Sequence, residues 1–157
     1  FFCRMEKLDE VDLKILRILQ KDSKKTTKEI AEELHLTASP VYERIRRLEK
    51  KKYIKKYVAL VDKKMVNQPI TAICMVSLRY HDEGFIDTFD RQIRALSEVQ
   101  ECYHMAGKVD FFLKINLQSL DAYHEFVRLK LSKIDNIGVL ESSFVLKEIF
   151  HSTEYNI

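Results

Sequence analysis

The chain has 157 residues, 46% hydrophobic and 32% charged, a net charge of +3, 16 aromatic residues, 3 Gly and 2 Pro. That is an ordinary globular composition, too aromatic for disorder and without a linker-like or collagen-like stretch. Its apolar runs are a handful of residues long, too short for a transmembrane helix. The charge is uneven: residues 1–62 hold 16 Lys/Arg against 11 Asp/Glu, whereas residues 63–157 hold 11 against 13, which points to a polyanion partner for the first part.

Residue Asp9 reads as a helix N-cap, with Asp12 at the capping-box position and Leu8 stapling onto Leu13. The helix runs to about Gln20, with Val11, Ile15, Ile18 and Leu19 on one face. Thr26 and Glu29 form a second capping box, opening a short helix with Ile30, Ala31 and Leu34 apolar. After the link His35-Leu36-Thr37, Thr37 caps a third helix whose first turn tolerates Pro40. Val41, Ile45 and Leu48 share its inner face, and the helical wheel places Ser39, Glu43, Arg46, Arg47 and Lys50 opposite. Short helix, tight turn and basic helix make a helix-turn-helix, and the third helix is long enough to lie in a major groove. Candidate DNA contacts are Thr37, Ser39, Tyr42, Glu43, Arg46, Arg47 and Lys50. Lys55 and Lys56 join them from an expected strand over residues 53–61, which follows the DNA backbone like a small wing. The competing reading is a three-helix protein-interaction module with a charged surface.

Residues 63–69 read as a linker between a domain at 5–62 and a second at 70–157. From Ile70 to Tyr80 the pattern has period two, one face being Ile70, Ala72, Cys74, Val76, Leu78 and Tyr80. A helix is expected over 83–96, with Ile86, Phe89, Ile93 and Leu96 in line, then a strand over 99–106. The turn Gly107-Lys108-Val109-Asp110 leads to a strand over 111–117. A helix over 120–134 follows, with Leu120, Tyr123, Val127, Leu131 and Ile134 in line, Gly138 just past its end and a last strand over 139–150. Strand-helix-strand, turn, strand-helix-strand is the ferredoxin-like βαββαβ arrangement, so the fold class is α+β. Both helices cover one face of its sheet; a second copy is expected to cover the other, giving a homodimer.

No nucleophile elbow, Walker loop, dinucleotide fingerprint or H-E-x-x-H is present, so no enzyme, catalytic residue or cofactor is read. The histidines at 35, 81, 104, 124 and 151 are scattered. No metal site is read; a metal-responsive protein built around His104 and His124 stays open as a second competing reading. Cys3, Cys74 and Cys102 lack C-x-x-C spacing and read as small buried hydrophobes in a reducing cytoplasm. Met5 reads as the natural start, with residues 1–4 set aside.

Three blocks carry a resemblance. They are Leu8-Asp9-x-x-Asp12-x-x-Ile15-Leu16-x-x-Leu19-Gln20-x-Asp22, then Leu36-Thr37-x-Ser39-Pro40-Val41-x-x-Arg44-Ile45-x-x-Leu48-Glu49, and Val99-Gln100-Glu101-Cys102-x-x-x-Ala106-Gly107-x-x-Asp110-Phe111 with Ala122-Tyr123. In this order they resemble the Lrp/AsnC family of feast/famine regulators. The resemblance implies a winged helix-turn-helix joined to a ferredoxin-like effector domain, in a cytoplasmic protein that binds double-stranded DNA. It implies dimers that assemble to tetramers, octamers or higher, with an amino-acid effector held where dimers meet. It maps the effector region to His104, Met105, Ala106, Gly107, Asp110 and Ser132. Ala106 departs from the Thr or Ser of many relatives and lacks their hydroxyl, and the connector Met65-Val66-Asn67-Gln68 lacks their Gly. On chemistry alone, Gly107 suits a turn position with positive φ and Asp110 a turn cap; only the resemblance adds a ligand role.

Overall fold

A computed structural model describes residues 7–157. Cys3 and the start read at Met5 lie outside the described residues. The chain divides into two compact units, Phe1–Ala59 with Phe150–Ile157, and Leu60–Ile149.

The first unit holds α1 (Glu10–Lys21), α2 (Thr27–Glu33) and α3 (Ala38–Lys50). Both capping boxes form. The Asp12 amide donates to Asp9 Oδ1 at 2.8 Å, and the Asp9 amide to Asp12 Oδ2 at 3.3 Å. The Thr26 amide donates to Glu29 Oε2 at 2.6 Å. Each box satisfies amides that the first helical turn leaves without carbonyl partners. Ile15, Ile30, Ala31, Val41 and Leu48 form the buried core, with Leu8, Val11, Ile18, Leu19 and Ile45 packed on it.

Two of these helices close on a left-handed residue other than glycine. His35 follows α2 at φ 56° and Lys52 follows α3 at φ 63°. In each case the next amide reaches back to the third-last helical carbonyl, Leu36 N to Ala31 O at 2.8 Å and Tyr53 N to Leu48 O at 3.0 Å. These are Schellman closures with a side chain where glycine usually sits. Beyond them the expected strand over 53–61 does not form: among the described residues this segment has no ladder partner. Its β-forming composition meets no neighbouring edge, and a strand is defined by pairing. Residues 150–157, which the sequence places at and after the end of the last strand, instead complete the first unit. The Gln20 side chain brackets Tyr155 there, accepting from its amide at 2.7 Å and donating to its carbonyl at 3.2 Å.

The second unit holds β1 (Ile70–Leu78), α4 (Glu83–Arg94), β2 (Val99–His104), β3 (Phe111–Leu117), α5 (Leu120–Leu129), a 3-10 turn (Leu131–Lys133) and β4 (Ile137–Phe144). The four strands form one antiparallel sheet in the order β2-β3-β1-β4. This is the α+β, βαββαβ topology expected. Both helices pack on one face, where Ala72, Cys74, Val76 and Leu78 of β1 and Phe111, Leu113, Ile115 and Leu117 of β3 meet Phe89, Ile93, Phe126, Leu131 and Ile134. The rings of Phe89 and Phe111 lie 4.3 Å apart. The other face carries Ile73 and Met75 opposite Lys114 and Phe112, with Tyr103 beside Phe112. Neither α4 nor α5 packs there.

Several edges differ from the sequence reading. β1 stops at Leu78, leaving Tyr80 exposed and its ring against Phe85. β2 stops at His104, before the turn tightens. The last long helix breaks into α5 and the 3-10 turn, and Leu120 is 56% exposed at its first position rather than in the core. Gly138 lies within β4, where an added Cβ would meet Ser77 O at 3.2 Å. Asn136 (φ 72°) makes the reversal instead, and its amide side chain bonds both Tyr80 N and Tyr80 O, at 2.9 and 2.7 Å. Cys74 is buried, but Cys102 is exposed.

Candidate nucleic-acid interface and effector region

The third helix is tied to the first by a carboxylate in the core. Asp12 is 2% exposed. Its Oδ1 accepts from Arg44 Nη1 at 2.8 Å and its Oδ2 from Arg47 Nη2 at 2.5 Å. Arg44 Nη1 also donates to Asp9 Oδ2 at 2.5 Å. A buried carboxylate is tolerated only when paired and hydrogen-bonded, and two guanidinium groups do both. The amide of Asp12, and then the Arg44 guanidinium, hold the Asp9 carboxyl below the usual aspartate range.

This arrangement divides the basic residues of α3. Arg47, placed with the outward set by the helical wheel, turns back to Asp12. At about 100° per residue it sits some 120° from the apolar stripe, within reach of α1 for a side chain this long. Ser39, Tyr42, Glu43, Arg46 and Lys50 stay exposed. The Arg46 guanidinium lies over the Tyr42 ring, 5.8 Å from its centroid. Thr37 occupies the N-cap position, but its hydroxyl makes no cap hydrogen bond among the described residues. Lys50 and Arg47 in the last turn oppose the negative end of the helix dipole. Lys55 and Lys56 are exposed on the unpaired segment after α3. Tyr57 there donates to Glu49 Oε1 at 2.9 Å; burial and that bond push its hydroxyl up to about 12.

The effector candidates cluster in part. His104 ends β2, its ring stacked on Phe111 at 4.8 Å. Met105 N donates to Asp110 O at 2.8 Å, closing the hairpin, while Met105, Ala106 and Gly107 are exposed. Gly107 does not adopt a positive φ, and an added Cβ would meet open space. The conformational reason read for this glycine is therefore absent. Asp110 acts as a staple: its Oδ2 accepts from Leu78 N at 2.7 Å and lies 3.1 Å from His81 Nε2, and its own amide donates to Val76 O. Ser132 lies on the 3-10 turn, where its hydroxyl donates to Arg128 O at 2.6 Å. It makes no contact with the hairpin residues among the described hydrogen bonds. A cleft of about 440 Å³ opens at the other end of the sheet, over Leu117, Phe126 and Leu129 with the Glu98–Lys130 ion pair beside it. Among the described residues no group of three or more His, Cys, Asp or Glu is placed to hold a metal. No described helix is long and apolar enough to cross a membrane.

Sequence reasoning missed Arg44 and His81. Arg44 was legible, because Asp12 falls on the core-facing side of α1 and a carboxylate there needs a cation. His81 carried no local signal; the return of the chain at Asp110 brings it into place.

Residues 8–55 match the family model for winged helix-turn-helix DNA-binding, and residues 71–155 the Lrp/AsnC ligand binding domain. The chain belongs to the Lrp/AsnC family. It is 31% identical to the Bkd operon transcriptional regulator of Pseudomonas aeruginosa over 145 residues, 92% of this chain and 95% of that protein. It is similar in structure to an AsnC family transcriptional regulator from Agrobacterium tumefaciens, with a TM-score of 0.90 and 32% identity over 94% of this chain and 96% of that one. A Neisseria meningitidis transcriptional regulator crystallised with L-Met matches with a TM-score of 0.89 and 33% identity, over 94% of this chain and 95% of that one. As an Lrp/AsnC protein the chain is a transcriptional regulator with a DNA-binding domain and a ligand-binding domain, and not an enzyme.

Proposed function

We propose that this Lrp/AsnC protein binds operator DNA by laying α3 in the major groove and tunes that binding with an amino acid held at the β2–β3 hairpin. The observation that carries the first half is the division of labour on α3. Arg44 and Arg47 fasten the helix to Asp12, while Ser39, Tyr42, Glu43, Arg46 and Lys50 remain exposed. Thr37 stands at the helix start, and Lys50, Lys55 and Lys56 supply point charges for phosphates. In this reading Arg47 positions the helix rather than touching DNA.

A second copy covers the sheet face that α4 and α5 leave open, which pairs two α3 helices for successive major grooves about 34–36 Å apart. Further assembly to tetramers or octamers brings hairpins together. The effector then sits among His104, Met105, Ala106, Gly107, Asp110 and Ser132, completed by a neighbouring dimer. The L-Met bound by the Neisseria relative supports an amino acid as the ligand class. The compartment of action is the cytoplasm, where bacteria and archaea keep their DNA.

Binding of the whole chain to random-sequence duplex across a salt series tests the DNA half. Replacing Lys50, Lys55 and Lys56 with Ala lowers the slope of log K against log salt by about 0.9 for each phosphate that is no longer neutralised. An unchanged slope and affinity overturn the assignment. A thermal-shift screen of the twenty amino acids, with light scattering on any hit, tests the effector half; no shift with any of them overturns it.

A further inference from the structure

We propose that Glu43 and Arg46 form a base-reading pair: Glu43 accepts from the N4 amino group of a cytosine, and Arg46 donates to O6 and N7 of a guanine in the neighbouring base pair. The inference deepens the proposed DNA-binding function and rests on it.

Its starting point is a carboxylate out of place. Glu43 is exposed on the same face of α3 as Arg46 and Lys50, the face offered to a polyanion. A carboxylate facing phosphates is repelled, unless something else occupies it. A helix offers two ready neutralisers, at i+3 and i+4. Here both are arginines, Arg46 and Arg47, and neither is used. Arg46 is drawn over the Tyr42 ring at 5.8 Å, and Arg47 is held by Asp12 at 2.5 Å. No other described residue bonds Glu43. The carboxylate is thus left as a bare acceptor, and the guanidinium one turn along is parked on an aromatic platform with no ion pair among the described residues.

The major groove has a use for both. An ionised carboxylate only accepts. The groove offers it amino donors on cytosine and adenine, but adenine sets its N7 acceptor beside the amino group, which repels a carboxylate. The cytosine amino group has an acceptor on one side only, O6 of its paired guanine, where adenine's lies between two. A guanidinium fork fits the two acceptors of guanine, and the Tyr42 ring limits the conformations Arg46 gives up on docking. Three residues along a helix rise about 4.5 Å, and base pairs step about 3.4 Å. The two contacts therefore fall on neighbouring base pairs, so each half-site contains adjacent G·C pairs.

The test is selection of bound duplexes from a random pool by the full chain, comparing the wild type with Glu43→Gln and Arg46→Lys. Both substitutions lie on an exposed helix face and keep good helix formers, and circular dichroism checks the fold of each. Gln pairs with adenine through N6 and N7, so Glu43→Gln is expected to convert one position of the site from C to A. Competition between C and A duplexes should then move by about 5- to 150-fold, the value of a good bidentate contact. Arg46→Lys should weaken the guanine preference at the adjoining position and leave the rest of the site alone. An unaltered consensus in Glu43→Gln, with duplex binding retained, overturns the pair and leaves the DNA-binding function standing. Absence of wild-type binding to any duplex overturns that function and the pair with it.

Discussion

Replacing Asp12 with Ala should destabilise the first unit by about 2–3 kcal/mol. Removing one partner of a fully buried ion pair costs about 3–5 kcal/mol, mainly because the other charge is stranded. That figure needs reducing here, because the Arg44 and Arg47 side chains are 28% and 43% exposed and regain water. Arg44 also keeps Asp9 at 2.5 Å. About 2 kcal/mol is left for the ion pairs. The reciprocal bond of the capping box, long at 3.3 Å, adds roughly 0.5 kcal/mol. Urea denaturation of the whole chain measures the loss, at one fixed protein concentration because assembly shifts apparent stability. Hydrogen exchange at the amides of α1 and α3 assigns it to this unit. A loss below about 0.5 kcal/mol, or one seen only in the sheet, would refute the role given to this carboxylate.

Acid should weaken the same unit through its capping carboxylates. Asp9 is held below its ordinary 3.8 by the Asp12 amide and Arg44, and Glu29 below its ordinary 4.5 by the amide and hydroxyl of Thr26. Lowered folded values mean stability that is present above about pH 4.5 and lost as pH falls through them. Asp9→Asn with Glu29→Gln should flatten that decline in a pH series of urea midpoints. Tyr57 works in the opposite sense, contributing below its ordinary 10 and losing that contribution as pH rises through about 12. Tyr57→Phe should delete a late step from the phenolate absorbance titration, and loss of a step near 10 instead would contradict the burial argument. Lys52→Gly should raise stability by about 0.5–1 kcal/mol, because relief of the φ 63° conformation outweighs the added chain entropy. A fall in the melting midpoint would show that Lys52 is unstrained.

Much of the layout is legible in the residues alone. Capping boxes at Asp9 and Thr26 announce helix starts because their chemistry is local, and the alternation through Ala72, Cys74, Val76 and Leu78 marks a strand with one buried face. What escapes such reading is non-local. Residues 53–61 look like a strand in composition, but pairing depends on an edge that local sequence does not reveal. Arg47 sits outward on a wheel, yet a long side chain reaches past its own helical position. Gly138 reads as the helix stop because glycine is the usual answer, whereas Asn136 takes the left-handed turn and bonds Tyr80 as well. At the hairpin, Asp110 reads as a turn cap; its bond to Leu78 N and its approach to His81 come from tertiary return of the chain.

A chain with 3 Gly that still needs left-handed corners places His35, Lys52, Asn67 and Asn136 in them. Each such residue is more restricted than glycine when unfolded, so less backbone freedom is surrendered on folding. The penalty is moved from disorder into local torsion, and torsional strain does not swell with temperature as an entropic penalty does. The gain from glycine at such a corner should therefore be largest in the cold and narrow as the chain is warmed.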